Sequence, residues 1–336
     1  MKPDMCHRFE CIDAYTAGNP VRLVKGPAPE LKGKSMADKR LDFIQSYDWI
    51  RTGLMFEPHG HDMMSGSFYY PPIDPQNDVS ILFIETSGCL PMCGHGLIGT
   101  LTVLLEKKLI SPKQQGQLRV ETPAGLVLAY YKQKNKKVEE VAFTNVASYL
   151  AAENLSVSCS GLGDLVVDVA YGGNFYAIVD PQKNFNDLEQ HKASDLVTWS
   201  REIRAALNKN FSFIHLEDPH IKGCSHVLWT GKPKHPKATA RNAVFYGEKA
   251  IDRSPCGTGT SSRMAQWAAK GKLKVGDSFV HESIIGSLFT GTLIKNMTIK
   301  GHPAIVPKIA GSARIIGHSQ RILDPKDPYV KGFQVL

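Results

Sequence analysis

Long apolar runs are missing from this chain of 336 residues. The longest, such as Ile81 to Ile84, cover only a few positions, whereas a helical membrane span needs about 18 or more. No membrane partner is expected. The opening residues, Met1-Lys2-Pro3-Asp4-Met5-Cys6-His7-Arg8, lack the apolar stretch of a secretory leader. Cysteine is scarce and odd in number, with seven in all, which excludes a disulfide scaffold. Free thiols in a reducing cytoplasm are the expectation. Disorder is excluded too, because 42% of the residues are hydrophobic and only 21% charged.

Basic residues exceed acidic ones by 40 to 32, giving a formal charge of +8. Such a surplus invites a nucleic-acid reading. The lysines are placed badly for it. Lys132, Lys134, Lys136 and Lys137 fall in a polar turn followed by Glu139 and Glu140. Lys232, Lys234 and Lys237 are broken by Pro233 and Pro236. Neither group carries aromatics on which bases stack. No nucleic-acid partner is expected.

What is present is a succession of short strands and turns. Phe9 to Ala14, Val21 to Val24, Val79 to Glu85, Gln117 to Thr122, Gly125 to Tyr131 and Val138 to Thr144 read as strands. Ser35-Met36-Ala37-Asp38 resembles a capping box, and Leu41, Ile44, Tyr47 and Ile50 follow at helical spacing. A second helical pattern lies near Asp187 to Lys209. The mixture favours an α+β fold over a doubly wound parallel sheet.

Internal repetition is the most informative feature. Asp13-Ala14-Tyr15-Thr16-Ala17-Gly18-Asn19 resembles Asp168-Val169-Ala170-Tyr171-Gly172-Gly173-Asn174, at an offset of 155 residues. Pro91-Met92-Cys93-Gly94-His95-Gly96 resembles Pro255-Cys256-Gly257-Thr258-Gly259, with Cys93 and Cys256 separated by 163. Glu121-Thr122-Pro123-Ala124-Gly125 resembles Glu282-Ser283-Ile284-Ile285-Gly286. Three matches in one order imply a duplicated unit. The expected architecture is two similar α/β halves, residues 1–155 and 156–336, related by a pseudo-twofold and facing a central cleft. The extreme C-terminus is expected to pack back on the first half.

Each Cys-Gly-x-Gly follows a strand and opens a helical pattern. A helix N-terminus offers N–H donors without intrahelical partners and the positive end of the macrodipole. That suits a substrate carboxylate. It is also expected to lower a thiol pKa from ~8.5 toward ~7 or below. Two such thiols, one on each side of a bound molecule, suit inversion of a carbon centre, with one as base and the other as acid. No cofactor is required.

Other readings of these residues are weaker. Cys89, Cys93 and His95 form a C-x3-C-x-H string that is not a standard zinc spacing, and no metal is expected. A Cys93–His95 acyl-transfer pair leaves Cys256 unexplained. Cys6, Cys11, Cys89, Cys159 and Cys224 read as structural. A redox or binding protein that bridges Cys93 to Cys256 is a reading from a different class.

At these residues the chain resembles the proline racemase superfamily, most closely the 4-hydroxyproline 2-epimerases. The resemblance also covers Asp48-Trp49-Ile50-Arg51-Thr52-Gly53-Leu54-Met55-Phe56-Glu57-Pro58 and His61-Asp62-Met63-Met64-Ser65-Gly66. It continues through Glu85 to Gly96, Tyr171 to Val179 and Asp252 to Thr260. It implies a diaminopimelate-epimerase-like fold. It implies a cofactor-independent isomerase that interconverts trans-4-hydroxy-L-proline and cis-4-hydroxy-D-proline. Cys93 would be proton acceptor and Cys256 proton donor in one direction. Gly94, His95, Gly257 and Thr258 would contact substrate, with His226 and Asp252 near the ring nitrogen. A homodimer is common in such a family. Proline racemisation is the alternative activity. A 3-hydroxyproline dehydratase is a further one, disfavoured because those relatives carry Thr where Cys256 stands. Tyr15, Leu97 and Ser262 depart from the family pattern.

Overall fold

A computed structural model of the chain describes residues 1–335. The chain divides into two compact units, Met1–Phe143 with Gly311–Leu336, and Thr144–Ala310. The 155/156 boundary read from the repeats lies within a strand, Tyr149–Cys159. Among the described residues, no helix is long and apolar enough to cross a membrane.

The first unit opens with the antiparallel pair β1 (His7–Thr16) and β2 (Asn19–Gly26). The connecting turn is Ala17-Gly18, both at positive φ, which matches the right-handed twist of a two-residue hairpin. Helices α1 (Met36–Ser46) and α2 (Asp48–Met55) follow. The Ser35 capping box forms, with the Ser35 hydroxyl accepting from the Asp38 N–H and the Asp38 carboxylate accepting from the Ser35 N–H. The helical spacing does not run through as one face. The chain breaks at Tyr47 (φ −133°), so Phe43, Ile50 and Leu54 reach the core and Ile44 is exposed.

Next come β3 (Ser65–Tyr70), β4 (Val79–Glu85) and β5 (Gly88–Leu90). Every residue of β4 is buried, as its unbroken apolar run requires. Helix α3 (Gly94–Glu106) is buried through Leu105, in keeping with a sequence that is apolar on all sides. The strands β6 (Gln117–Thr122), β7 (Gly125–Lys134) and β8 (Lys137–Thr144) complete this part.

The second unit contains β9 (Tyr149–Cys159), β10 (Gly163–Tyr171), β11 (Phe175–Val179), α4 (Ala193–Asn210), β12 (Cys224–Gly231), β13 (Ala240–Tyr246) and β14 (Ala250–Ile251). Then come α5 (Gly257–Ala269), β15 (Ser278–Glu282), β16 (Leu288–Ile299) and β17 (His302–Gly311). The last strand, β18 (Ala313–Leu323), returns to the first unit and pairs antiparallel with β1.

The two units share one topology. In the first, β1–β2 is antiparallel, β2–β3 parallel, β3–β4 and β4–β5 antiparallel, β4–β6 parallel and β6–β7 antiparallel. In the second, β10–β11, β11–β12, β12–β13, β13–β14, β13–β15 and β15–β16 repeat the same series. Helices α3 and α5 occupy the same place in the order, between the short strand and the next long one. The α+β duplication read from the sequence is therefore a structural one.

The three sequence matches differ in what they mean. Glu121 and Glu282 hold equivalent loops. Glu121 accepts from the N–H groups of Ile73 and Asp74 before β4. Glu282 accepts from those of Lys234 and His235 before β13. The Asp13–Asp168 match is off by one residue in the ladder. The first hairpin pairs Thr16 with Asn19, while the second pairs Tyr171 with Phe175 and so has one more residue in its turn. Asp13 instead holds buried Arg22, whose guanidinium also donates to the carbonyls of Leu54 and His59. Asp168 accepts from Gln266 and Lys270.

Candidate functional site

Cys93 is the N-cap of α3. Its backbone is extended (φ −139°), and its sulfur accepts the N–H of Gly96 at 3.3 Å. Cys256 is the N-cap of α5 and its sulfur accepts the N–H of Gly259 at 3.4 Å. A thiol here fills the capping role that an oxygen usually takes. It lies where the first turn of helix presents N–H groups. Gly94 and His95 form the first turn of α3, and Gly257 and Thr258 that of α5. All six residues are buried.

The surroundings of the two sulfurs are not equivalent. Glu85, the last residue of β4, accepts the Cys93 thiol at 2.8 Å through Oε1. The Ser65 hydroxyl donates to that same oxygen at 2.9 Å. The His95 ring brings Nδ1 to 3.6 Å from the sulfur, while its Nε2 meets the Asn19 side-chain amide at 3.0 Å. The Thr16 hydroxyl donates to the His95 carbonyl. One donor atom from each of Glu85, Cys93 and His95 lies within 4.8 Å of the others, and all three residues are buried.

Around Cys256 the chemistry is phenolic and hydroxylic. The Tyr176 hydroxyl lies 3.4 Å from the sulfur and 2.5 Å from Thr258 Oγ1. The His226 ring packs 4.6 Å from the Tyr176 ring, and its Nδ1 meets the Ser225 hydroxyl at 2.7 Å. Asp252 accepts the Ser254 N–H at 2.7 Å, and the Ser254 hydroxyl accepts the Cys256 N–H at 3.1 Å. Asp252 thus shapes the loop that delivers Cys256, which stands at φ +61°. Gly172 makes room for this turn. A Cβ there would meet the Thr258 carbonyl oxygen at 2.3 Å.

The strand ladders show where the halves diverged. Glu85 pairs with Gly88, and Tyr246 pairs with Ala250 in the same place. Val21 precedes the Arg22–Gly66 pair, and Tyr176 precedes the Ala177–Val227 pair. So the place of Glu85 is taken by Tyr246 in the second unit, and the Tyr176 that reaches the Cys256 sulfur stands at the place of Val21.

The thiol acidities correct one expectation from the sequence. Burial pushes the Cys93 thiol well up, and the charge and hydrogen bond of Glu85 push it further, against the Gly96 N–H and Ser65. Burial also pushes Cys256 up, aided by the Asp252 charge, against Tyr176, Gly259 and Thr258. The helix N-terminus acts in the anticipated direction, but desolvation of a charged sulfur outweighs it. Both thiols are protonated at neutral pH in the ligand-free chain.

The structure therefore brings Cys93, Gly94 and His95 together in one unit, and Cys256, Gly257, Thr258, His226 and Asp252 in the other. Sequence reasoning missed Glu85, Ser65, Asn19 and Tyr176. Two of these left a signal. Glu85 is a charged residue closing an apolar strand, and Tyr176 follows the repeated Gly-Asn turn. Cys89, part of the metal-like string, lies instead in the apolar core with Phe43 and Ile50.

A family model described as proline racemase matches residues 11–334. A curated 4-hydroxyproline 2-epimerase from Spirosoma linguale is 63% identical over 98% of both chains. A curated 4-hydroxyproline epimerase from Brucella ovis is 60% identical over 98% of this chain and 99% of its own. Among solved structures, a hydroxyproline epimerase from Agrobacterium vitis with bound trans-4-hydroxy-L-proline superposes with a TM-score of 0.89. It is 28% identical and covers 98% of this chain and 95% of its own. A phenazine biosynthesis protein of the PhzF family from Bacillus anthracis shares the fold at a TM-score of 0.59 and 16% identity, over 94% of this chain and 99% of its own.

Proposed function

The chain belongs to the proline racemase family, and from that premise we propose how it works on 4-hydroxyproline. It is an isomerase that interconverts trans-4-hydroxy-L-proline and cis-4-hydroxy-D-proline at Cα. The observation that carries this reading is the doubled device: a buried cysteine capping a buried helix, with the third residue's N–H on its sulfur, once in each unit. Its relatives of 60–63% identity bear the epimerase name over nearly their whole length.

In our reading one thiol becomes the thiolate that removes the Cα proton, and the other delivers a proton to the opposite face. The roles exchange in reverse. The negative charge that builds on the substrate carboxylate is met by first-turn N–H groups at Gly94, His95, Gly257 and Thr258. Asp252 and His226 serve the ring nitrogen, where a carboxylate and a secondary ammonium would pair. Glu85 gives the Cys93 proton a place to go, since the thiol already donates to its carboxylate. Passing the proton there forms the thiolate while neutralising the adjacent charge.

The test is chiral chromatography of each isomer with purified, reduced protein, run beside proline and 3-hydroxyproline. Epimerisation of 4-hydroxyproline, with Cα deuterium uptake from deuterated water, is the expected result. Cys93→Ser and Cys256→Ser each abolish it. Full activity in either variant sinks the two-thiol mechanism. Faster racemisation of proline moves the substrate reading, and a dehydrated product replaces it.

A further inference from the structure

We propose that Glu85, Cys93 and His95 form a binding site for a thiophilic divalent cation, with zinc as the reference ion, and that its occupation blocks the chemistry of Cys93. The binding half stands on geometry alone. The inhibitory half rests on the role given to Cys93 above.

The donor set is one thiol, one imidazole and one carboxylate, a mixture suited to zinc. With Zn–S near 2.3 Å and Zn–N near 2.1 Å, a tetrahedral ion holds sulfur and nitrogen about 3.6 Å apart. The Cys93 sulfur and His95 Nδ1 are 3.6 Å apart. A bound ion wants the sulfur and a carboxylate oxygen about 3.5 Å apart. The observed 2.8 Å is shorter because the thiol proton bridges them. When the cation binds, that proton leaves to water, the sulfur becomes thiolate, and the carboxylate retreats by about 0.7 Å. No group is oxidised or reduced.

Support around the donors is already built. Asn19 meets His95 at Nε2, the ring nitrogen away from the closest sulfur approach. A histidine that ligates through Nδ1 donates its Nε2–H, so the Asn19 amide, whose nitrogen faces Nε2 here, turns its oxygen to that proton when the cation binds. Ser65 steadies the Glu85 carboxylate. Three protein ligands leave a fourth position open to water or to a substrate oxygen. Among the described residues this is the one cluster of three such donors. Cys256 has Tyr176 and Thr258 at its sulfur instead.

The experiment titrates Co²⁺ into the reduced, chelator-free full-length protein and follows thiolate-to-metal charge transfer in the near ultraviolet. One equivalent per chain is expected to saturate the band. Cys93→Ser and His95→Gln lose it, while Cys256→Ser keeps it. Zinc added to wild type raises the unfolding temperature, because it binds only the folded state. It also abolishes epimerisation, which a chelator restores. Absence of the band, its persistence in Cys93→Ser, or its loss in Cys256→Ser overturns the site. A band with the expected variant pattern but undiminished epimerisation upholds the site and overturns the proposed role of Cys93.

Discussion

Raising the pH tests the buried thiols. Cys11 is pushed up from its ordinary 9.0 to about 11, and Cys89, Cys159 and Cys224 to about 12, chiefly by burial. Between 9.0 and those values the unfolded chain has released protons that the folded chain still holds. Stability is therefore full below pH 9.0 and falls as the pH climbs toward the folded pKa values. At pH ~10 each thiol favours the unfolded state by about 1.4 kcal/mol. The four together remove about 5.5 kcal/mol, from a total that for a typical domain is about 5–15 kcal/mol. Cys93 and Cys256 add to this with the same sign. Urea denaturation at pH ~8 and pH ~10 should show a large fall in midpoint. The Cys89→Ala variant isolates one thiol. Its stability should depend on pH less steeply than wild type, by about 1.2 kcal/mol per pH unit near pH ~10. Equal midpoints at the two pH values, or a Cys89→Ala slope identical to wild type, would refute the buried neutral thiols. They would also count against raised thiol pKa values at Cys93 and Cys256, which arise from the same desolvation.

Three further outcomes are expected. Tyr176→Phe removes the hydroxyl beside the Cys256 sulfur. The thiol should move up further in pKa and epimerisation should slow about tenfold, one lost hydrogen bond's worth. The alkaline shift of the pH–rate profile separates this from general damage. Gly96→Ala places a Cβ 2.7 Å from the Cys93 sulfur. The sulfur must move, and kcat/KM should fall on the order of 100-fold with an unchanged circular dichroism spectrum. Glu121→Ala frees the loop before β4, which its carboxylate holds through Ile73, Asp74, Asn77 and Ser80. Chemical denaturation should show a loss of about 3 kcal/mol, whereas a change below about 0.5 kcal/mol would show that the clamp is idle.

Much of the fold was legible because it is carried by local pattern. β4 and β6 have the bounds that their apolar run and alternation suggest. The Ser35 box forms as its spacing requires. The long helical face through Tyr47 failed because nothing local marks where one helix stops and the next begins. Buried Phe43 and exposed Ile44 exchange the expected sides. The repeat matches found both helix N-termini, since glycine spacing is a local demand of the turn. They misplaced Asp168, since an added turn residue shifts a hairpin without changing its composition.

The sequence by itself determined the duplicated topology, the two cysteine-capped helices and the family. These depend on periodicity, on turn chemistry and on short motifs in fixed order. Only the tertiary structure decided what stands beside each sulfur. Glu85 reaches Cys93 from the end of the preceding long strand, while Ser65 reaches Cys93 and Tyr176 reaches Cys256 from strands more distant in sequence. It also decided the direction of the thiol pKa values. A helix N-terminus can be read from a few residues, but desolvation is a property of everything packed around the atom.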